Sequence, residues 1–189
     1  MATSPFVFGT RVSGETFTDR VKETKRLKIN FENGINTVLI SPRRMGKTSL
    51  VAKVVSLLTD DNLRIVQFDA FSCRTQEDFL NAFASAVIKA TSSKWEERLK
   101  MVGQYLSRLV PKISVGTDPI NDIEISLELA SSEVHAEDVL NLPQKIAEDK
   151  GIKVVVCIDE FQQICEFRES LAFQRQLRSV WQLQTRVSY

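Results

Sequence analysis

A glycine, a lysine and a hydroxyl residue stand side by side at Gly46, Lys47 and Thr48, inside the segment SPRRMGKTSL. This order fits the phosphate-binding pattern G-x-x-x-x-G-K-[ST], except that Ser41 replaces the first glycine. Backbone N–H groups at Gly46 would close on phosphate oxygens, Lys47 would place its ammonium on the β- and γ-phosphates, and the Thr48 hydroxyl would ligate Mg²⁺. The segment predicts a cradle for ATP, made of Ser41, Pro42, Arg43, Arg44, Met45, Gly46, Lys47, Thr48 and Ser49.

Two adjacent carboxylates, Asp159 and Glu160, follow an apolar run in the segment KVVVCIDEFQQI. Such a run indicates a buried strand, and a buried strand does not need two carboxylates at its end unless something pairs with them. Mg²⁺ would be that partner for Asp159, through water or Thr48, while Glu160 would orient and polarise the water that attacks the γ-phosphate. Lys47 and Glu160 are therefore the catalytic candidates. The alternative is that both acids only cap the turn after the strand.

Strands and helices in a fixed order are needed to position these residues. The run NTVLI at 36–40 predicts a buried strand before the loop, and SLVAKVVSLL predicts a helix. This helix starts at Lys47, so that its N-terminal dipole also favours an anion. LRIVQFDA at 63–70 predicts a second strand, which ends near Asp69. Asp69 is either a turn cap or a further contact to Mg²⁺ or water.

The rest of the chain alternates between helical and strand patterns. Alternating apolar residues predict a β-hairpin insertion at about 112–129, and KVVVCIDE predicts the most apolar strand. This order predicts an α/β fold with a mostly parallel sheet and helices on both faces. Helical spacing places amphipathic helices around 17–33, ending at Asn33-Gly34, around 79–88, around 95–109, at 137–149 with a bend or break near Pro143, and at 168–184.

Composition points to one globular domain without naming a partner. Among 189 residues, 43% are apolar and the net charge is +1, which gives no strong attraction to nucleic acid or anionic lipid. No targeting segment or membrane-spanning run is evident, so the cytoplasm is the predicted location. The cysteines, Cys73, Cys157 and Cys165, form no CxxC pair and are predicted to be reduced core thiols.

SPRRMGKTSL and VVVCIDEFQQI together resemble the additional-strand class of P-loop ATPases, and within it the AAA+ or STAND-like ATPases of archaea and Bacteroides-type bacteria. FTDRVKE is similar to the F-x-x-R-x-x-E lead-in of that family, which by resemblance places Arg20 near the adenine. The resemblance implies a three-layer P-loop NTPase core at 17–189 after an extended lead-in at 1–16. It also implies a strand starting at Val187, inserted between the P-loop strand and the Walker B strand.

The resemblance further implies a polar sensor, an arginine finger and a C-terminal helical or winged-helix part, all beyond Tyr189. The chain is therefore expected to be a fragment of a longer protein. Four arginines are candidates for phosphate or subunit-interface contacts, with exposed basic residues as the alternative: Arg44, Arg175, Arg178 and Arg186.

The leading functional prediction is an ATPase whose hydrolysis of ATP to ADP and phosphate drives or resets a conformational change. One alternative is a regulatory module that binds ATP and hydrolyses little of it. A DNA-associated ATPase and a small-molecule kinase are further alternatives, and the near-neutral charge disfavours the former. ATP and Mg²⁺ are the predicted ligands. A homo-oligomer and a protein or DNA partner are left open, and no membrane partner is expected.

Overall fold

The computed structural model of the protein describes residues 20–42, 45–93, 95–105, 110–115, 123–128 and 133–189. These residues divide into two compact units. The first contains the described residues up to Asp61 together with Ser188–Tyr189, and the second is Asn62–Val187. No helix in the described ranges is long and apolar enough to cross a membrane.

Two helices that pack against each other, α1 (Val21–Glu32) and α2 (Lys47–Ser56), form the body of the first unit. Leu27 and Phe31 are the buried residues of α1, because they lie one turn apart on its inner face. The helix ends at Asn33-Gly34, as the sequence predicts, and the Asn33 side chain donates to the Ile29 carbonyl at 2.8 Å. Residues 17–19, the start of the predicted helix, lie outside the described residues.

The strand predicted at 36–40 is wrong, since residues 35–40 form no strand. Val38 is 82% exposed and Ile40 is 92% exposed, so the apolar run is not buried as predicted. The Thr37 N–H donates to the Tyr189 carbonyl at 2.7 Å, and the Tyr189 N–H donates to Asn36 Oδ1 at 2.8 Å. One backbone bond does not make a ladder, and an apolar run is a strand only where a neighbouring chain pairs with it.

The sheet of the second unit is built on two parallel strands, β1 (Leu63–Asp69) and β4 (Lys153–Asp159). They pair in register from Leu63 with Lys153 to Asp69 with Asp159. β5 (Val187–Ser188) follows β4 in the strand order β1-β4-β5, and the Val154 N–H donates to the Arg186 carbonyl at 2.9 Å. The strands predicted at 63–70 and 153–160 are therefore confirmed, each one residue shorter than predicted, as is an α/β fold with a small parallel sheet.

A separate pair of strands, β2 (Val110–Val115) and β3 (Ile123–Glu128), runs antiparallel from Val110 opposite Glu128 to Val115 opposite Ile123. Residues 116–122 lie outside the described residues, so the predicted hairpin insertion stays a prediction. Of the helix predicted to carry Trp95 to Leu109, the structure describes α4 (Trp95–Tyr105).

Helices close the second unit as their periodicity predicts. α3 (Gln76–Thr91) starts at a capping box in which Thr75 and Asp78 satisfy each other's backbone N–H groups. The helix predicted at 137–149 is two helices, α5 (Glu133–Leu140) and α6 (Leu142–Lys150), and Pro143 lies in the first turn of α6. Pro143 is tolerated there because the first turn needs no N–H from it.

Aromatic rings join the last helix, α7 (Ser170–Trp181), to the sheet. Phe79 of α3 is fully buried and packs edge-on against Phe68 of β1 and Phe173 of α7, with ring centroids 5.3 Å apart in both pairs. Such pairs add about 0.5–1.5 kcal/mol beyond the area they bury. This cluster lies beside the carboxyl ends of β1 and β4, and thereby fixes the chain that follows Asp159.

Candidate functional site

The loop before α2 ends in a left-handed glycine. Gly46 has φ +71° and is the N-cap of α2, so that Lys47 is the first helical residue, as predicted. The Leu50 N–H donates to the Gly46 carbonyl at 2.9 Å and closes the first turn. Residues with a side chain rarely adopt this backbone conformation, which explains why a glycine occupies position 46. The N–H groups of the first turn are directed at whatever lies before the helix, which favours an anion there.

The Lys47 ammonium lies within the curl of the loop. Its Nζ donates to the Ser41 carbonyl at 3.0 Å and to the Pro42 carbonyl at 3.4 Å. Both acceptors are neutral, so a phosphate oxygen would be a stronger partner for the same donors. The side chain is half-buried. The loop thus holds a positive charge beside the helix N-terminus.

The other predicted loop residues differ in their exposure. Thr48 is half-buried beside Lys47, Ser49 is buried, and Met45 is 51% exposed. Ser49 Cβ lies 4.0 Å from the place where a Cβ on Gly46 would be, so Ser49 packs behind the glycine. Arg43 and Arg44 lie outside the described residues.

Arg20, predicted to lie near the adenine, directly precedes α1. It is half-buried and left-handed, with φ 63°, and its carbonyl accepts the Thr24 N–H at 2.9 Å. Arg20 lies in the first unit, which also contains the loop before α2.

The acidic pair belongs to the second unit. Asp159 is the last residue of β4 and lies opposite Asp69 in the register. Its Oδ1 accepts the Glu160 N–H at 3.0 Å, and its backbone carbonyl accepts the Ala70 N–H at 3.0 Å. Asp69 Oδ1 accepts the Phe71 N–H at 2.9 Å. Asp69 therefore caps the turn after β1, which is one of the two roles predicted for it from the sequence. Both carboxylates therefore shape the turns that leave the sheet.

Glu160 has an unusual backbone for a glutamate. Its φ of 50° and ψ of 37° are left-handed, and it is the N-cap of a 3₁₀ helix, Phe161–Glu166. Its carbonyl accepts the Gln163 N–H at 3.0 Å, and its side-chain Oε2 accepts a hydrogen bond from Gln162 Nε2. The sequence predicts Glu160 as a candidate but misses Gln162 and the 3₁₀ helix. Six residues make only two turns of a 3₁₀ helix, so the three-residue apolar spacing of Phe161 and Ile164 was the one signal that could have indicated it.

The three cysteines are free thiols that differ in their burial. Burial raises the pKa of Cys157, two residues before Asp159, to about 12, so its thiol stays protonated at neutral pH. Burial, and then the charges of Asp78 and Asp69, also raise the pKa of Cys73. Cys165 is exposed, so the prediction of a core thiol is wrong for that residue. It lies on the outer side of the short 3₁₀ helix.

The candidate arginines of the second unit, Arg175, Arg178 and Arg186, are exposed, which agrees with the alternative of basic surface residues. Each unit contains one of the predicted oxygen ligands of a metal ion: the Thr48 hydroxyl in the first unit and the Asp159 carboxylate in the second. A set of oxygen donors with no thiolate or imidazole fits a hard divalent cation such as Mg²⁺.

Comparison with known proteins identifies a family. The family model described as an ATPase domain predominantly from Archaea matches residues 17–188, which is nearly the whole chain. No curated protein and no solved structure matches.

Proposed function

Because the chain belongs to this family of ATPase domains predominantly from Archaea, we propose that it binds ATP with Mg²⁺ and hydrolyses it to ADP and phosphate. The observation that carries the proposal is the geometry of the loop before α2, where Gly46 is left-handed. Within the described residues, the hydrogen-bond partners of Lys47 Nζ are two neutral carbonyls. A triphosphate is the ligand that suits a helix N-terminus with an ammonium beside it.

The residues of the site then have separate roles. The N–H groups from Gly46 onward and the Lys47 ammonium bind the β- and γ-phosphates. The Thr48 hydroxyl and the Asp159 carboxylate hold Mg²⁺, which when bound neutralises phosphate charge. Glu160 orients a water molecule toward the γ-phosphate and accepts a proton from that water. Arg20 contacts the adenine in this proposal.

The finer class is also proposed. We place the domain among the additional-strand, AAA+ or STAND-like ATPases, supported by the fact that β5 begins at Val187 and follows β4 in the sheet order. In such a domain, hydrolysis in the cytoplasm would drive or reset a conformational switch. The decisive experiment is release of phosphate from ATP by the purified chain. A protein that binds ATP without releasing phosphate would favour the regulatory module instead.

Asp159→Asn is expected to raise the Mg²⁺ concentration needed for half-maximal phosphate release by about tenfold or more, since even outer-shell partners change metal affinity 10- to 100-fold. Asparagine keeps an oxygen that can accept the Glu160 N–H, so this turn contact is retained while the charge is lost. The measurement is a Mg²⁺ titration of the phosphate-release rate, with EDTA expected to stop the reaction in the wild type.

Asp69→Asn is the matched control for this titration, because it also loses a carboxylate at the end of a strand and keeps the turn-capping oxygen. Its Mg²⁺ requirement should equal that of the wild type. If Asp69→Asn shifts the requirement and Asp159→Asn does not, the assignment of the metal ligand is wrong.

Gly46→Ala is expected to weaken ATP binding by about 10- to 100-fold, the loss of one hydrogen bond to a charged phosphate. Among the described residues, the added Cβ would meet only Ser49 Cβ, at 4.0 Å, so the effect comes from the left-handed backbone and from the approach of the phosphate. The measurement is ATP affinity by calorimetry.

Gly34→Ala provides the comparison. Gly34 is also left-handed, with φ +66°, and no atom of the described residues lies within 4 Å of an added Cβ, so both variants should lose a similar stability of about 1–2 kcal/mol. Only Gly46→Ala should lose ATP affinity. Equal ATP affinities for the two variants would contradict the role of Gly46 in binding phosphate.

A further inference from the structure

We propose that Gln162 is a positioning residue for Glu160, which fixes the carboxylate for its reaction with water. This inference rests on the proposed ATPase function. Its starting point is the hydrogen bond from Gln162 Nε2 to Glu160 Oε2, an amide donor two residues after the predicted catalytic carboxylate. Gln162 is otherwise exposed, so its side chain is not needed for the core.

The backbone around Glu160 is held in place from both sides. Its left-handed conformation costs about 1–2 kcal/mol for a residue with a side chain, so it persists only where the surroundings enforce it. The Glu160 N–H is bound to Asp159 Oδ1 at 3.0 Å, and its carbonyl to the Gln163 N–H at 3.0 Å. This conformation brings the side chains of Glu160 and Gln162 to the same side of the turn.

The 3₁₀ helix that carries Gln162 is anchored by its neighbours. The Phe161 ring lies 6.5 Å from the Phe79 ring and 6.1 Å from the Trp181 ring, and Ile164 is buried. Gln162 therefore projects from a fixed turn. Its amide is preorganised, because the protein orders the turn before any substrate is present.

The chemistry of the contact leaves the carboxylate able to act. A carboxylate has two oxygens with about four lone-pair positions, and the amide of Gln162 uses one position on Oε2. Oε1 can then accept the proton of a water. Without the amide, the Glu160 side chain regains its rotamer freedom, and a carboxylate misplaced by about 1 Å loses about a hundredfold in rate.

The next residue supplies a matched control. Gln163 Nε2 donates to Glu166 Oε2 at 2.9 Å, so its side chain makes an amide-to-carboxylate bond in the same 3₁₀ helix, to a carboxylate other than that of Glu160. Gln162→Met and Gln163→Met remove the two amides at nearly constant volume. Gln162→Ala serves as a second variant should the methionine disturb the turn.

Steady-state ATP hydrolysis and ATP affinity are measured for the wild type and each variant. Gln162→Met is expected to lower kcat by about 10- to 100-fold, with KM and ATP affinity within about twofold of the wild type. Gln163→Met should hydrolyse ATP as the wild type does. Combined with Glu160→Gln, the Gln162→Met change should have no further effect, because it acts only through Glu160. A purely structural role would lower the rate in both backgrounds.

The outcomes separate the two proposals. A wild type that hydrolyses ATP, with Gln162→Met and Gln162→Ala equally active, overturns the role of Gln162 and leaves the ATPase intact. An equal fall in Gln162→Met and Gln163→Met also overturns it, since the loss would then come from disturbing the 3₁₀ helix and not from the contact with Glu160. A wild type that releases no phosphate overturns the ATPase itself, and the positioning role with it.

Discussion

Replacing Lys47 with alanine is expected to weaken ATP binding by about 10² to 10⁴-fold. The ammonium would make hydrogen bonds to both the β- and the γ-phosphate, each worth about 1.5–3 kcal/mol when charged, or about 3–6 kcal/mol together. In the absence of nucleotide, its partners are the exposed or half-buried carbonyls of Pro42 and Ser41. Their loss should hardly change the stability. The measurement is a calorimetric titration of the protein with ATP in the presence of Mg²⁺.

Lys53→Ala is the control for this variant, because Lys53 lies in the last turn of the same helix and carries the same charge. Its ATP affinity should be unchanged, as should the circular dichroism spectra of both variants. The result that contradicts the phosphate site is an unchanged affinity in Lys47→Ala, and equal losses in both variants would indicate a general charge effect instead.

Glu160→Gln has the second large expected effect, a fall in phosphate release of about 10² to 10⁴-fold, the usual contribution of a positioned general base. The amide has the shape of the carboxylate and can still accept a hydrogen bond from Gln162, so the turn should be kept. ATP binding should therefore persist. A single-turnover measurement with ATP in complex separates the chemical step from binding and release.

Glu166→Gln is the matched control, since Glu166 ends the same 3₁₀ helix and its carboxylate also accepts an amide donor. It should hydrolyse ATP at the wild-type rate. If the wild type and Glu160→Gln release phosphate equally slowly while binding ATP, Glu160 is not a base. The chain is then better described as a regulatory binding module.

Much of the fold could be predicted because periodicity reports local burial. The apolar stripe of α3, with Phe79 and Phe83 one turn apart, predicts a helix that packs on a sheet. The apolar run of β4 predicts a buried strand. The start of β5 at Val187 was predicted from the family resemblance. A strand of two residues is too short for its hydrophobic pattern to predict it. Glycine before lysine likewise gave the start of α2.

The run at 36–40 shows where that reasoning fails. Its apolar pattern is the same whether a neighbouring strand pairs with it or not, and the structure leaves Val38 and Ile40 exposed. Pairing partners are distant in the chain, so a local pattern cannot identify them. The same error concerns Cys165, which was predicted as a core residue and is exposed.

The sequence alone determined which groups are available for the chemistry, an ammonium at Lys47 after a glycine and two carboxylates after a strand, because motif spacing is a property of the chain itself. Only the tertiary structure decided how those groups are held. The left-handed backbone of Glu160 and its hydrogen bond to Gln162 depend on a turn in which Phe161 packs against the rings of Phe79 and Trp181, which are far away in the sequence. Such orientation comes from packing between elements far apart in sequence, and no local pattern encodes it.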